Sequence, residues 1–270
     1  MNLALLENFK TLLGLNRDKY PYVNYVTPSE LDNYAYCPRK PFIRYYYVNI
    51  QGQTIDKSVE MLVGTDIHDE VYAGVPITKE DIVSSLVYDG YTGRIYNLGI
   101  SCIYPTKFGD ILLYGKPDSV SVSHVSTKFG NELLLFSLEE LKTKEGTIIS
   151  KIHSISNIPY GSYLQASAYA FIIESYPFFK VRNFVIMIAD RDTGEIIKPL
   201  IGNPMKRDKV SSALDSFISD MYSGKAPSGP KYPDRCDKCT LKDKCKTLTD
   251  SDVASIVEEV KLHREANCAF

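Results

Sequence analysis

The chain has no tryptophan, only four histidines and six cysteines, and no apolar stretch long enough to cross a bilayer. The last of these absences excludes a helical membrane span and points to a soluble protein with no membrane partner. Nothing at the start resembles a secretory signal, because the first helix-like stretch carries Glu7 and Lys10 and has no small-residue cleavage site. The expectation is therefore a cytoplasmic protein, and a reducing compartment argues against disulfides. No internal repeat or low-complexity tract is present. A strongly basic balance is missing too: the formal net charge is -2, so composition as a whole does not advertise a polyanionic partner. What remains is a chain of 270 residues, enough for one large domain or a core with a small appended lobe.

The pattern of apolar residues predicts an alternation of helices and strands. Met1 to Leu15 has helical spacing, with Leu3, Leu6, Phe9 and Leu13 as its expected buried face, followed by an aromatic linker from Tyr20 to Tyr25. Thr27-Pro28-Ser29-Glu30 is a capping box with proline at N1; it opens a helix that Pro38 ends. Val59 to Tyr72 places Val63, Ile67 and Val71 on one helical stripe. Strands run from about Leu98 to Thr143, and Ser162 to Tyr176 is an apolar helix. Val181 to Ala189 and Glu195 to Leu200 form a hairpin around Asp192-Thr193-Gly194. Helices at Lys206 to Tyr222 and Asp252 to Arg264 flank a Pro/Gly loop. The order makes the chain α/β with a mixed sheet. Tyr34, Tyr36 and Tyr45 to Tyr47 suit base stacking or core packing, the second being the commoner fate of such residues.

Chemistry concentrates where a strand carries charge on its apolar face. Along Glu132 to Thr143, period two puts Glu140 and Lys142 on the face of Leu134, Phe136 and Leu138, with Glu139 on the other beside Leu141. Charges at the end of a core-facing stripe are costly unless a site uses them. Asp118 follows the strand-like run Ile111 to Tyr114 across the turn Gly115-Lys116-Pro117, ahead of a return strand from Ser119 to Val125. Two carboxylates at strand ends are hard ligands for a divalent cation, which phosphodiester hydrolysis uses to polarise phosphate and activate water. A neighbouring lysine can help deprotonate that water or stabilise the transition state. His68 lies one turn after Gly64, which permits close approach to a strand, and its imidazole could complete an oxygen-rich site. Gln165 and Tyr169, four apart on one helix face, can orient a phosphate or sugar, though helix packing explains them as cheaply.

The cysteines form a second constellation. Cys236-x2-Cys239-x5-Cys245 is a tight cluster in a polar loop, and Cys37 stands apart in a Cys-Pro-Arg segment. Cys102 reads as a buried core thiol, and Cys268 lies near the tail. Four thiolates can hold structural zinc or a 4Fe-4S cluster, and spacing does not decide between them. Lys225, Lys231, Arg235, Lys238, Lys242, Lys244 and Lys246 gather beside them against Asp234, Asp237 and Asp243, as a phosphate-facing patch or a solvated face.

In chain order, His, Gly-x-x-Asp, Glu-x-Lys and Gln-x-x-x-Tyr sit in GTDIHDE, YGKPDSV, FSLEELKTK and YLQASAY. This order resembles the PD-(D/E)xK nucleases of the RecB type. With its cysteines, the chain is most similar to the CRISPR-associated RecB-like exonucleases, the fourth core CRISPR-associated protein family, from about Thr27 to Cys245. The resemblance implies a restriction-endonuclease-like α/β core with a mixed central sheet flanked by helices, plus a cysteine-ligated iron-sulfur lobe. It divides the chain into an N-terminal helical extension (1–26), a nuclease core (27–222) and a C-terminal cysteine cluster with its helix (223–270).

For the site, it implies that His68, Asp118, Glu140 and the Leu141 carbonyl bind Mg or Mn, that Lys142 activates water, and that Gln165 and Tyr169 position the DNA backbone. It further implies a 4Fe-4S cluster on Cys37, Cys236, Cys239 and Cys245. The activity implied is a metal-dependent DNA exonuclease acting on single-stranded ends or overhangs, trimming prespacers in company with the CRISPR integrase complex. An accessory scaffold with a weak site and a RecB-like repair nuclease unrelated to CRISPR remain as alternatives. Strand polarity, DNA versus RNA preference and oligomeric state stay open.

Overall fold

In the computed structural model, which describes residues 1–14, 24–55, 59–72, 77–223, 227–229, 236–237 and 239–267, side chains mark where the helices begin. Asn2 caps α1 (Leu3–Leu12) by accepting from the Leu5 N–H at 2.8 Å. After the short strand β1 (Tyr25–Val26), Thr27 and Glu30 close a reciprocal capping box on α2 (Pro28–Tyr36), whose C-cap is Cys37. α3 (Lys40–Tyr45) continues into a π turn at Tyr46–Ile50, and α4 (Val59–Val71) follows. α5 (Lys79–Asp89) begins at a Thr78/Asp81 capping box and ends at Gly90, whose φ of 67° is the left-handed geometry that glycine adopts without a Cβ penalty. The sequence reading had no element here, nor at β2 (Tyr91–Tyr96).

The remaining strands and helices keep close to their expected places. β3 (Ile100–Thr106), β4 (Gly109–Gly115), β5 (Ser119–Ser126) and β6 (Glu132–Lys144) precede the short α6 (Gly146–Ile149) and the long α7 (Tyr160–Ile173). β7 (Phe179–Asp190) and β8 (Ile196–Gly202) make the hairpin; α8 (Arg207–Ser223), the short α9 (Lys242–Cys245) and α10 (Asp250–Asn267) complete the order. No helix among the described residues is long and apolar enough to cross a membrane.

The strands form two mixed sheets, not the single central sheet expected. One has the order β1-β4-β3, and the other β2-β5-β6-β7-β8 with β6 and β7 parallel. The chain changes sheet between Gly115 and Ser119, where Pro117 has no N–H to continue a ladder. α7 lies between the sheets, nearly every side chain buried. The core-facing stripe of β6, Leu134, Phe136 and Leu138, packs toward α1, with the Phe9 and Phe136 rings 6.3 Å apart. The buried face of α1 is Leu5, Phe9, Leu12 and Leu13; Leu3 is 80% exposed, so the expected face was rotated. One core runs from these residues through Leu214 and Phe217 of α8 to Val253, Val257 and Val260 of α10.

Arg264 of α10 pins the start of the fold to its end. Its side chain is 1% exposed, donates to the Tyr25 carbonyl at 2.6 Å, pairs with Glu30, and lies 4.4 Å from the Tyr45 ring centroid. Removing one partner of a buried ion pair leaves the other uncompensated. Arg264→Ala is therefore expected to cost about 3–5 kcal/mol in urea unfolding. Glu258→Ala, which removes an exposed i,i+3 pair with Lys261 on the same helix, should cost well under about 1 kcal/mol.

Candidate active site

Four elements bring the predicted residues together: β6, the β4–β5 crossover, α4 and α7. Glu140 and Lys142 occupy the core face of β6, while Glu139 points the other way and meets Arg94 of β2 at 2.6 Å. Lys142 Nζ donates to Glu140 Oε1 and to Gln165 Oε1, each at 2.9 Å. Gln165 Nε2 donates to the same Glu140 oxygen at 2.7 Å, and Tyr169 Oη donates to the Lys116 carbonyl at 3.1 Å. Asp118 Oδ2 accepts the Leu141 N–H at 2.7 Å, and its Oδ1 lies 3.5 Å from His68 Nδ1. The second oxygen of Glu140, Oε2, is buried and has no hydrogen-bond partner.

That distribution changes the part played by α7. Gln165 is 5% exposed and Tyr169 3% exposed, and both bond to protein groups, Gln165 to Glu140 and Lys142, Tyr169 to Gln165 and the Lys116 carbonyl, so here they brace the charged pair. Ser29 Oγ stands 3.4 Å from Gln165 Nε2, and the Asp32 charge acts on Lys142. These two α2 residues escaped the sequence reading because neither belongs to a spaced motif. On α4, Val63 and Gly64 fall among helix residues whose surroundings are outside the described set.

Burial and charge oppose each other throughout. Burial pushes the Glu140 carboxyl up, the Asp118 charge adding to it, while Lys142 and His68 pull it down; the net shift is upward. Burial alone would lower the Lys142 ammonium, but Glu140, Asp32 and Asp118 outweigh it and hold it above its ordinary value. For His68 burial is likewise overcome, here by the hydrogen bond and charge of Asp118, and its imidazole is shifted up.

The cysteines gather at the C-terminal end of α2. Cys37, Cys236, Cys239 and Cys245 all line one cavity of about 190 Å³, walled by Tyr36, Arg39, Lys40, Ile43 and Leu241. As the side chains stand, no three His, Cys, Asp or Glu groups among the described residues, neither the thiols nor His68, Asp118 and Glu140, converge tightly enough to hold a metal ion. The four thiols line the walls of the one cavity. Cys102 is 2% exposed, its thiol pushed up to about 12 by burial, and belongs to the core. Cys268, Lys225, Lys231, Arg235 and Lys238 lie outside the described residues. The described remainder of the basic patch is largely neutralised: Lys242 pairs with Asp237, Lys246 with Asp243, and Lys244 with the Gln53 side chain. Tyr34 donates to Asp220 at 2.6 Å and Tyr45 packs beneath Arg264, so both serve packing.

No family model matches the chain, and no curated protein matches its sequence. Several solved structures resemble it, among them these two. One is SSO0001, 14% identical, with 90% of this chain and 96% of that one covered and a TM-score of 0.49. The other, provisionally described as an exonuclease from Eubacterium rectale, is 16% identical over 84% of this chain and 90% of that one, with a TM-score of 0.47. Both scores fall below 0.5, and neither likeness bears on what this chain does.

Lys142→Met leaves Glu140 buried without its ammonium. At pH 8 this should cost about 3–5 kcal/mol, and the double variant Lys142→Met/Glu140→Leu should regain most of it. Glu140 is a carboxyl raised on folding, so the folded form binds more protons than the unfolded one and stability falls as pH rises through the raised value. The deficit of Lys142→Met should therefore shrink as pH is lowered toward 5 in urea titrations.

Proposed function

We propose that the chain is a metal-dependent nuclease whose site is Asp118, Glu140 and Lys142, with His68 beside them. The observation that carries this reading is Glu140 Oε2, a buried carboxylate oxygen with no partner, next to a second carboxylate and an imidazole at the end of a core strand. Two carboxylates and one imidazole are the donor chemistry that Mg or Mn takes, with the Leu141 carbonyl on the same strand, and binding would draw these groups together. When bound, such a cation would polarise a phosphodiester and make a water acidic enough to attack it. The residues of the chain do the rest. Gln165 and Glu140 fix the Lys142 ammonium at 2.9 Å from each, where it offsets charge gathering on the phosphoryl oxygens. Tyr169 keeps the Gln165 amide from turning away.

The finer reading is a DNA exonuclease that trims single-stranded overhangs of prespacers alongside the CRISPR integrase. It is supported by the order of the four motifs and by the thiol-lined cavity. Four thiols lining one cavity of about 190 Å³ supply the ligand set that a 4Fe-4S cluster takes, and the motif order tips the choice toward iron and sulfur over zinc. Held there, a cluster would clamp α2 to the C-terminal segment and turn binding free energy into folding free energy.

Two experiments test these statements. End-labelled single-stranded DNA incubated with Mn or Mg should be shortened, and Asp118→Ala, Glu140→Ala and Lys142→Ala should each lower the rate by at least about a hundredfold. Glu139→Ala should change it by less than about threefold; inactivity of that variant would move the site to the opposite sheet face. Protein purified without oxygen should be brown and contain iron and acid-labile sulfide, with Cys37→Ser bleaching it as fully as Cys239→Ser. Zinc in place of iron, or full colour without Cys37, would overturn the cluster assignment.

A further inference from the structure

We propose that Lys144 and Arg191 form a second phosphate subsite that seats the phosphodiester next to the one being cleaved, so that the enzyme reads at least two consecutive phosphates of a single strand. The inference rests on the nuclease reading of Glu140 and Lys142. Lys144 is two residues beyond Lys142 on β6, so it emerges on the same face, about 6–7 Å further along the strand. That displacement is of the order of one nucleotide step. β7 runs parallel and in register, pairing Asp190 with Lys144, and the Arg191 N–H donates to the Lys144 carbonyl at 2.9 Å. Asp190 shares the Lys144 face, and Arg191, one residue past the end of β7, is tied to Lys144 through the backbone and lies near enough for its charge to act on the Lys144 ammonium.

Each has unspent capacity. The Lys144 ammonium makes no hydrogen bond or ion pair among the described residues. The Arg191 side chain is 19% exposed and gives Nη1 to Glu145 at 3.3 Å, yet its Nε–H is buried without a partner. A buried guanidinium donor left unpaired is costly, and a phosphate oxygen is the acceptor that guanidinium geometry fits. The acids nearby do not fill the place. Asp190 Oδ1 is taken by the N–H groups of Asp192 at 2.8 Å and Thr193 at 3.4 Å, and Glu145 is half exposed on the Nη1 side. Burial pushes the Lys144 ammonium below its ordinary value, the Lys142 and Arg191 charges add to this, and Asp32 opposes it. Of the three cations at the end of the two parallel strands, Lys142 pairs with Glu140 and Arg191 with Glu145, which leaves Lys144 as the one without an anionic partner among the described residues.

The test measures binding of a short single strand by fluorescence anisotropy with calcium in place of manganese, for the wild type and for Lys144→Ala, Arg191→Gln and Lys144→Arg. The two removals should weaken binding at least about tenfold. Each should also reduce the slope of log affinity against log salt by about 0.7, the value for one lost phosphate contact on a single strand. Lys144→Arg should bind nearly as the wild type, which separates a lost contact from a damaged fold. Replacing one of the two phosphates flanking the cleaved bond by a neutral methylphosphonate should weaken wild-type binding by a similar factor and leave Lys144→Ala unchanged. Removals that bind within twofold of the wild type, or a methylphosphonate penalty equal in wild type and Lys144→Ala, would overturn the subsite while cleavage by the wild type left the nuclease reading standing. A wild type that neither binds nor cleaves single strands would sink both.

Discussion

A carboxylate and an ammonium held inside the protein at the end of β6 set the terms for everything around them. Each charge alone would be expelled or neutralised, because the cost of taking it out of water exceeds what packing returns. Together, with a glutamine amide spanning both, they stay, and the surrounding elements are arranged to keep the trio closed. The unfilled oxygen of Glu140 is the part of this arrangement that the protein does not complete by itself. Asp118 belongs to it only because the chain changes sheets there, which frees its carboxylate to accept from the Leu141 backbone.

Two glycines make the closure sterically possible. A Cβ at Gly115 would come within 2.5 Å of the Tyr169 ring and 2.9 Å of Pro28, so the end of β4, α2 and α7 meet at a point where no side chain fits. A Cβ at Gly161 would collide with the Asp32 carboxylate and stand 3.0 Å from its carbonyl oxygen. α2 thus lies against the first turn of α7 at backbone distance, which puts Asp32 and Ser29 by the site and leaves Cys37 at the C-terminal end of the same helix. The site and the thiol-lined cavity share one wall.

Much of this was legible in the sequence because it is written in short-range codes. Period two along β6 separates Glu140 from Glu139, and Thr27-Pro28-Ser29-Glu30 marks the start of α2 within one residue. The misses have physical causes. α1 is so rich in leucine that several faces look apolar, and only packing against Phe136 selects Leu5 over Leu3. α5 buries just Ile82 and Leu86, too thin a stripe for periodicity to register, although its Thr78/Asp81 box and Gly90 stop were present. The division into two sheets depends on which strand β4 pairs with, a long-range choice that alternation along one strand does not encode. Asp32, Ser29 and Arg264 are single polar residues outside any spacing pattern, and only tertiary neighbours disclose them. Gln165 and Tyr169 were legible as a pair on one helix face, but their bonds to Glu140 and the Lys116 carbonyl were not.

The Arg264 contact with Glu30 spans 234 residues of chain. During synthesis, α2 is made early and its half-buried glutamate waits for an arginine that arrives with α10. Contacts of such long separation close late in folding, after the local helices and hairpins have formed. Ser29, Asp32 and Cys37 ride on that waiting helix. A half-made chain can therefore carry β6, α7 and α2 together with the Glu30 carboxylate still lacking its cation, and that pairing is completed only when α10 has been added.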